Sequence, residues 1–424
     1  MHQWEGLTKR EAIGPGGNYQ IGKYLFGVDY PPMEVTSDCK MDNANVVTYD
    51  MQHQRTGGII HQFVCPENTY KEINGGFSPL NDAHFFGTLV VDMYKDWFGD
   101  RPVPFKIRLN AHYWNLYYES FWDGTEVVFG DGYPLFSYPL AGVDFAAHEI
   151  SHGFTEYNSD LIYEEQPGAL NEAFSDMSAE AAKYYLNSAK PENERNNFLF
   201  AAGIYRPVEA LRFFQDLTRD GRSIDNVANY NSNMDPHVSS GVYRKAFYTL
   251  ATKESWNTKK AFEVFVLANQ IYWNQSTGFD EGACGVARSA LDLNYSSDDV
   301  IDAFAVVGIN ADCLGQPPEP VPVEILINGI PVNNIESPTG EELFWMITVP
   351  PGMPKLEIKI SGGTGDADLY TIKDVLPTVC KWDCRPFLAG NDEICIYENP
   401  EPGNYFIMLN AFLGFSGVTL EGNY

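Results

Sequence analysis

Basic residues are scarce in this chain. Its 424 residues hold 28 Lys and Arg against 57 Asp and Glu, a formal charge of −29. So negative a surface repels phosphate backbones, which excludes nucleic acid as an expected partner. It favours solubility and export, or a salty habitat where ionic strength screens self-repulsion. No apolar run approaches the ~20 residues needed to cross a bilayer, so no membrane partner is expected. The first twenty residues lack a charged start followed by an apolar stretch. A chain trimmed of its leader and a cytosolic chain both fit that absence. No Cys-x-x-Cys pair suggests a metal knuckle among the seven cysteines, so they read as disulfides in an oxidising compartment.

What the chain does hold is apolar material for more than one core. Hydrophobic residues make up 44% and aromatics 14%, and the length predicts two or three domains. Two of only eight histidines stand in His148-Glu-Ile-Ser-His152. Residues four apart on a helix share a face, so His148 and His152 can hold one metal ion between them. Glu149 projects beside them and can act on a water that the metal carries. The candidate third ligand is Glu172, in Gly168-Ala-Leu-Asn-Glu-Ala-Phe-Ser-Asp176. Three protein ligands leave a fourth position open, as catalytic zinc needs. Asp176, one turn further on, and Asn171 are candidates for orienting the ligand imidazoles.

His148–His152, Gly168–Asp176 and Asp235-Pro-His237-Val-Ser-Ser-Gly241 together resemble the thermolysin family of zinc neutral proteases. Ser78-Pro-Leu-Asn-Asp-Ala-His-Phe-Phe-Gly87 and Phe129-Gly-Asp-Gly132 are similar to the pseudolysin and vibriolysin branch. The resemblance covers about residues 11–313. It implies a secreted zinc endopeptidase, exported from a Gram-negative bacterium, made as a zymogen with a propeptide, and acting as a monomer on protein or peptide substrates. Glu149 would be the general base. Tyr163 and His237 would stabilise the oxyanion, with Asp235 orienting His237, and Arg212 would meet a substrate carbonyl. Leu140, Phe145, Phe200 and Leu211 match the pocket for the residue after the cut, so cleavage before hydrophobic residues is expected. Two Phe where aliphatic residues are usual should make that pocket shallow, favouring medium aliphatic residues over large aromatics. The resemblance also implies disulfides Cys39–Cys65, Cys284–Cys313 and Cys384–Cys395, leaving Cys380 odd.

The chain departs from the branch in three places. Glu119-Ser120 stands where Asn-Ala is usual among the substrate-binding residues. An ionised Glu119 only accepts hydrogen bonds, whereas Asn also donates. Asp144 and Glu180 match acidic calcium ligands, but Lys183 and Asn197 replace expected carboxylates, so the Lys183 ammonium is expected to supplant the calcium ion wholly or in part. The segment Ala189–Arg195 looks inserted beside this site.

The predicted fold is α+β. Residues 11–160 read as a β-rich lobe, with a helix at 82–98 and the metal-binding helix at 143–158. Residues 161–314 read as a helical lobe, with helices near 170–187, 241–254, 259–274, 280–292 and 297–306. The interface of two such lobes is a common place for an active site. Trp4-Glu-Gly-Leu7, within residues 1–10, resembles the end of the family's propeptide. Residues 315–322 hold four prolines in eight positions, a stiff linker. Residues 323–424 alternate apolar and polar, which predicts a small β-sandwich. Asp366-Ala-Asp-Leu-Tyr370 resembles the bacterial pre-peptidase C-terminal domain, an appendage for secretion, maturation or substrate adhesion. Asp366 and Asp368 are calcium candidates, and turn chemistry explains them equally well. The reading from another class is a catalytically impaired adhesive or substrate-binding protein on the same fold. Loss of casein cleavage in Glu149→Ala separates the two.

Overall fold

Short runs of Tyr, Val and Thr cut by Gly and Pro fold as the predicted strands in a computed structural model that describes residues 9–311, 313, 322–378, 382–386, 388 and 390–424. The propeptide-like Trp4–Leu7, Cys380 and all of the linker except Pro322 lie outside the described residues. Two compact units emerge. The first takes the chain up to Tyr157 with Leu161–Ala268 and Gly278–Ala311; the second takes the C-terminal segment with Asn158–Asp160 and Asn269–Thr277.

The first unit begins with β1 (Lys9–Ala12), β2 (Gly14–Asn18), β3 (Gly22–Phe26), β4 (Met33–Thr36), β5 (Val46–Asp50) and β6 (Ile59–Ile60). Pairing starts at Lys9, opposite Thr36, two residues ahead of Glu11. Helix α1 (Pro79–Phe98) has Pro in its first turn, where no intrahelical donor is lost, and stops at Gly99 with φ 81°. It lies close on the sheet because Gly87 has no side chain: a Cβ there would sit 2.4 Å from Leu109 Cδ1. Strands β7 (Ile107–Tyr113), β8 (Ser120–Trp122) and β9 (Glu126–Gly130) complete a sheet of order β6-β5-β7-β9-β8, so β8 is an edge strand.

Helices then take over. α2 (Val143–Glu156) buries Phe145, Ala146, His148, Glu149 and Ile150, and packs on α3 (Glu165–Leu186), which is buried from Gly168 to Tyr184. α3 begins five residues before the predicted 170. Pro167 and Gly168 read as a break in the sequence, but the first helical turn tolerates proline. Two short strands, β10 (Leu199–Phe200) and β11 (Arg212–Phe213), pair beside α3. The rest is α4 (Pro236–Ser239), α5 (Gly241–Ala251), α6 (Thr258–Leu267), α7 (Phe279–Asp292) and α8 (Ser297–Ala305).

The second unit carries β12 (Val323–Ile325), β13 (Val332–Ser337), β14 (Glu342–Val349), β15 (Lys355–Ser361), β16 (Thr364–Lys373), β17 (Glu393–Glu398) and β18 (Gly403–Asn423). β18 pairs with β14 and β16 along its first half and with β13 and β15 along its second, so one long strand joins the two layers of the sandwich. Alternation does the packing: Leu356, Ile358 and Ile360 of β15 enter a core with Trp345, Ile347, Leu369 and Leu409. Asp366 and Asp368 lie in β16, not in a turn. Asp366 accepts from the Gly390 amide at 2.9 Å, and Asp368 is paired with Arg385 at 3.2 Å. Disulfides join Cys39 to Cys65 and Cys384 to Cys395, and Cys284 and Cys313 are also disulfide-bonded. No helix among the described residues is long and apolar enough to cross a membrane.

Candidate active site

The helical repeat of α2 stacks His148 and His152 on one face, and their Nε2 atoms lie 3.0 Å apart. Each Nδ1 is already engaged. His148 Nδ1 donates to Asp176 Oδ1 at 2.9 Å, and His152 Nδ1 donates to Asn171 Oδ1 at 2.7 Å. Both Nε2 atoms are therefore turned toward each other, with Nδ1 taken up behind them. Glu172, from α3, adds a carboxylate with Oε2 3.5 Å from His148 Nε2 and Oε1 3.4 Å from His152 Nε2. Its Oε2 is buried without a hydrogen-bond partner. Two ring nitrogens and a carboxylate converge there, a cluster that positive charge relieves, whether from a proton or from a metal ion. Among the described residues this is the one His, Cys, Asp and Glu group whose ligand atoms all lie within 4.8 Å of one another. Two imidazoles and one carboxylate are the donor set zinc takes in hydrolytic sites, so the residues fit that ion.

The local field favours positive charge at this point. Burial opposes a charge on His152, yet the Glu172 carboxylate outweighs it and pushes the ring up to about 9. Burial likewise opposes ionisation of Glu172, and His148, His152 and His237 still hold it well below the usual carboxylate range. Asp176 is fully buried and remains ionised because Arg212 and His148 outweigh the cost of burial. Arg212 grips it with Nε at 2.7 Å and Nη2 at 2.5 Å, and its guanidinium carbon stacks 4.1 Å from the centre of the Phe200 ring.

The remaining predicted residues surround this centre unevenly. The Tyr163 hydroxyl donates to Glu172 Oε1; burial first, and the Glu172 charge next, raise its pKa, so it stays a donor. His237 stands with Nε2 3.3 Å from Glu172 Oε2, while Asp235 Oδ1 accepts from its Nδ1 at 2.8 Å. A cavity of about 680 Å³ is lined by Glu119, Tyr205, Leu211, Arg212, Asp235 and His237 among others. Leu140, Phe145 and Phe200 do not line it; they are buried, with Phe145 and Phe200 edge to face at 5.3 Å. Ser120 does not line it either. It turns to α2 and donates to Glu149 Oε1 at 2.6 Å.

Where the sequence matches acidic ligands, Lys183 Nζ donates to Asp144 at 2.9 Å, Glu180 at 2.6 Å, Asn197 at 3.1 Å and the Leu199 carbonyl at 2.9 Å. The ammonium sits in a cage of four oxygens.

One residue escaped the sequence reading. Arg244 of α5 is completely buried; it reaches Ser223 Oγ at 2.7 Å, the His237 carbonyl at 3.5 Å and Asp176 Oδ2 at 3.5 Å. It thereby joins the carboxylate behind His148 to the backbone of His237. A lone arginine on an apolar helix carries no local pattern that announces this.

Comparison with known proteins places these features in a family. The family described as thermolysin metallopeptidase, catalytic domain, matches residues 20–156. Its alpha-helical domain matches residues 159–309, and the bacterial pre-peptidase C-terminal domain matches residues 341–411. The chain is 42% identical to a neutral protease of Vibrio proteolyticus, over 100% of this chain and 69% of that protein. It is 44% identical to a zinc metalloprotease of Helicobacter pylori, over 62% of this chain and 99% of that protein. The solved precursor of protealysin, from Serratia proteamaculans, shares the fold with a TM-score of 0.55 at 20% identity, over 64% of this chain and 89% of that one.

Proposed function

The chain belongs to the thermolysin family of metallopeptidases, and from that premise we propose how its residues divide the work of a zinc-dependent endopeptidase. His148, His152 and Glu172 hold the ion. When bound, zinc polarises a scissile carbonyl and makes water acidic enough to attack at neutral pH. Glu149 takes the proton of the attacking water and gives it to the leaving nitrogen. Tyr163 donates a hydrogen bond from its hydroxyl to the oxyanion, and His237, held at Nδ1 by Asp235, turns Nε2 toward it. Arg212 keeps Asp176 ionised behind His148 and presents its remaining donors to the cavity that receives substrate. Glu119 takes the wall of the same cavity.

The observation that carries this reading is the meeting of two Nε2 atoms, 3.0 Å apart, with a Glu172 oxygen that has no hydrogen-bond partner. The test is metal analysis beside casein cleavage. Wild-type protein should hold zinc and cleave, and Glu149→Ala should hold zinc and not cleave. Cleavage by Glu149→Ala overturns the assignment of the base, and failure of the wild type to take up zinc overturns the site.

Specificity follows from apolar residues: Leu211 lines the cavity, and the buried Leu140, Phe145 and Phe200 limit the depth open to a hydrophobic residue on the C-terminal side of the cut. Lys183 supplies part of the charge of a calcium ion at this position, so calcium binds there weakly or not at all. Residues 323–424 form a separable β-domain behind the 315–322 linker, and the propeptide-like residues 1–10 precede the catalytic unit. Asp144, Glu180 and Asn197 serve Lys183. A secreted, extracellular monomer with its own propeptide as maturation partner fits the −29 charge and the disulfides.

A further inference from the structure

We propose that Ser120 is a positioning residue that holds the carboxylate of Glu149 in register for proton transfer, an inference that rests on Glu149 being the general base. The Ser120 hydroxyl donates to Glu149 Oε1 at 2.6 Å, the length of a charge-assisted O–H···O bond. Among the described residues no other hydrogen-bond donor reaches Glu149, which is 4% exposed. A glutamate has three side-chain torsions, and on α2 only this contact fixes the last of them. One oxygen is thus anchored and the other is left to accept a proton.

The backbone makes the contact a built one. Successive side chains of a strand point to opposite faces. Glu119 therefore faces the cavity, where the Tyr117 hydroxyl donates to its Oε2 at 3.0 Å, and Ser120 faces α2. Residues 117–119 lie over the end of β9 because Gly130 has no side chain: a Cβ there would meet the Tyr117 carbonyl at 2.2 Å and the Glu119 carbonyl at 2.9 Å. The Gly130 amide in turn donates to the Glu119 carbonyl at 3.0 Å, and Ser120 is paired with Phe129. The edge strand is pinned one residue before the hydroxyl. Glu119 has its own hydroxyl partner, so the substrate-facing carboxylate and the base are kept apart, each by one neutral donor.

The test is steady-state kinetics on zinc-loaded full-length protein. Ser120→Ala should lower kcat about 10- to 150-fold, as expected for one hydrogen bond to a charged group, with KM within about twofold and the melting temperature unchanged. Ser120→Thr, which keeps the hydroxyl, should recover most of the loss. Glu149→Asp draws the carboxylate back by one methylene, so Ser120→Ala should cost almost nothing on that background. Wild-type kcat in Ser120→Ala, an effect confined to KM, or full additivity with Glu149→Asp overturns the positioning role while an inactive Glu149→Gln leaves the base assigned. An active Glu149→Gln overturns the base, and this inference with it.

Discussion

Lys183 Nζ lies 2.6 Å from Glu180 Oε1, three residues earlier on the same helix, and both side chains are buried. Burial raises the Glu180 carboxyl and opposes the Lys183 ammonium; the opposite charges pull each toward its ionised form, and Lys183 ends above its ordinary value. An ammonium with four oxygen partners is satisfied, and it leaves no room for a divalent ion. The melting temperature of zinc-loaded protein should therefore not move when calcium is added. Lys183→Met removes the cation and strands Asp144 and Glu180 together, which should cost about 3–5 kcal/mol. Added calcium should recover part of that loss in the variant alone. A wild-type melting temperature that climbs with calcium sinks the replacement argument.

The buried face of α1 sets a pH dependence away from the metal centre. His84 is 0% exposed; the Thr48 hydroxyl donates to its Nδ1 at 2.8 Å, and its Nε2–H donates to the Glu34 carbonyl at 2.8 Å. Both nitrogens are used by the neutral ring, and burial pushes it down to about 4. The unfolded chain binds this proton near 6.5. Stability from the neutral ring is whole above about 6.5 and is lost as pH falls toward 4, by about 3 kcal/mol at most. Asp82 tilts the other way: burial pushes it up to about 8, so its protonated form favours the fold below about 4 and that contribution fades as pH rises to about 8. Urea unfolding between pH 4 and 7 should show a steeper acid loss in wild type than in His84→Gln. Equal slopes remove His84 as the cause.

How much of this was legible depends on distance along the chain. His148, Glu149 and His152 are readable because one helix turn fixes their neighbours, and Glu172 with Asp176 repeats that spacing on α3. The orienting role of Asn171 needs only the residue beside Glu172. The Ser120–Glu149 contact spans 29 residues and depends on where an edge strand meets a helix, which no periodicity encodes. Arg244 is similar: its reach to Asp176 is set by the packing of α5 on α3. In β16 the glycines around Thr364 suggested a turn, but pairing with the long β18 draws Asp366 and Asp368 into a strand. The contacts of Lys183 with Asp144, Glu180 and Asn197 are legible because a lysine stands among residues that otherwise match acidic ligands.

Asp176 is the pivot between the candidate metal ligands and the cationic wall. It accepts from His148 Nδ1 and from two Arg212 nitrogens, and Arg244 Nη1 stands 3.5 Å away. Asp176→Asn keeps the shape and removes the charge. His148 then loses its anionic partner, so zinc affinity should fall about 10- to 100-fold. Two buried guanidinium groups also lose their counter-ion, so the zinc-saturated protein should melt lower. Zinc titration against a competing chelator checks the first effect and calorimetry of the saturated protein the second. Wild-type zinc affinity in Asp176→Asn ends the claim that this carboxylate acts through His148.

Phe200 gives the last prediction, because three partners fix its ring. It packs edge to face on Phe145 at 5.3 Å, tilts against His148 at 5.1 Å and carries the Arg212 guanidinium at 4.1 Å. A fully buried aromatic held by His148 on one side and Arg212 on the other cannot swing away to admit a large side chain. Peptides with Leu or Val after the scissile bond should then show higher kcat/KM than those with Phe. Phe200→Val removes roughly half the ring's volume and should reverse that order while leaving the Leu substrate within severalfold, since one or two methylenes of fit are worth about 1–3 kcal/mol. The loss of the stacked Arg212 should also cost stability, so kcat/KM ratios between substrates, not absolute rates, are the measure. Wild-type protein that already prefers Phe over Leu places the pocket elsewhere and makes Phe200 a core residue only.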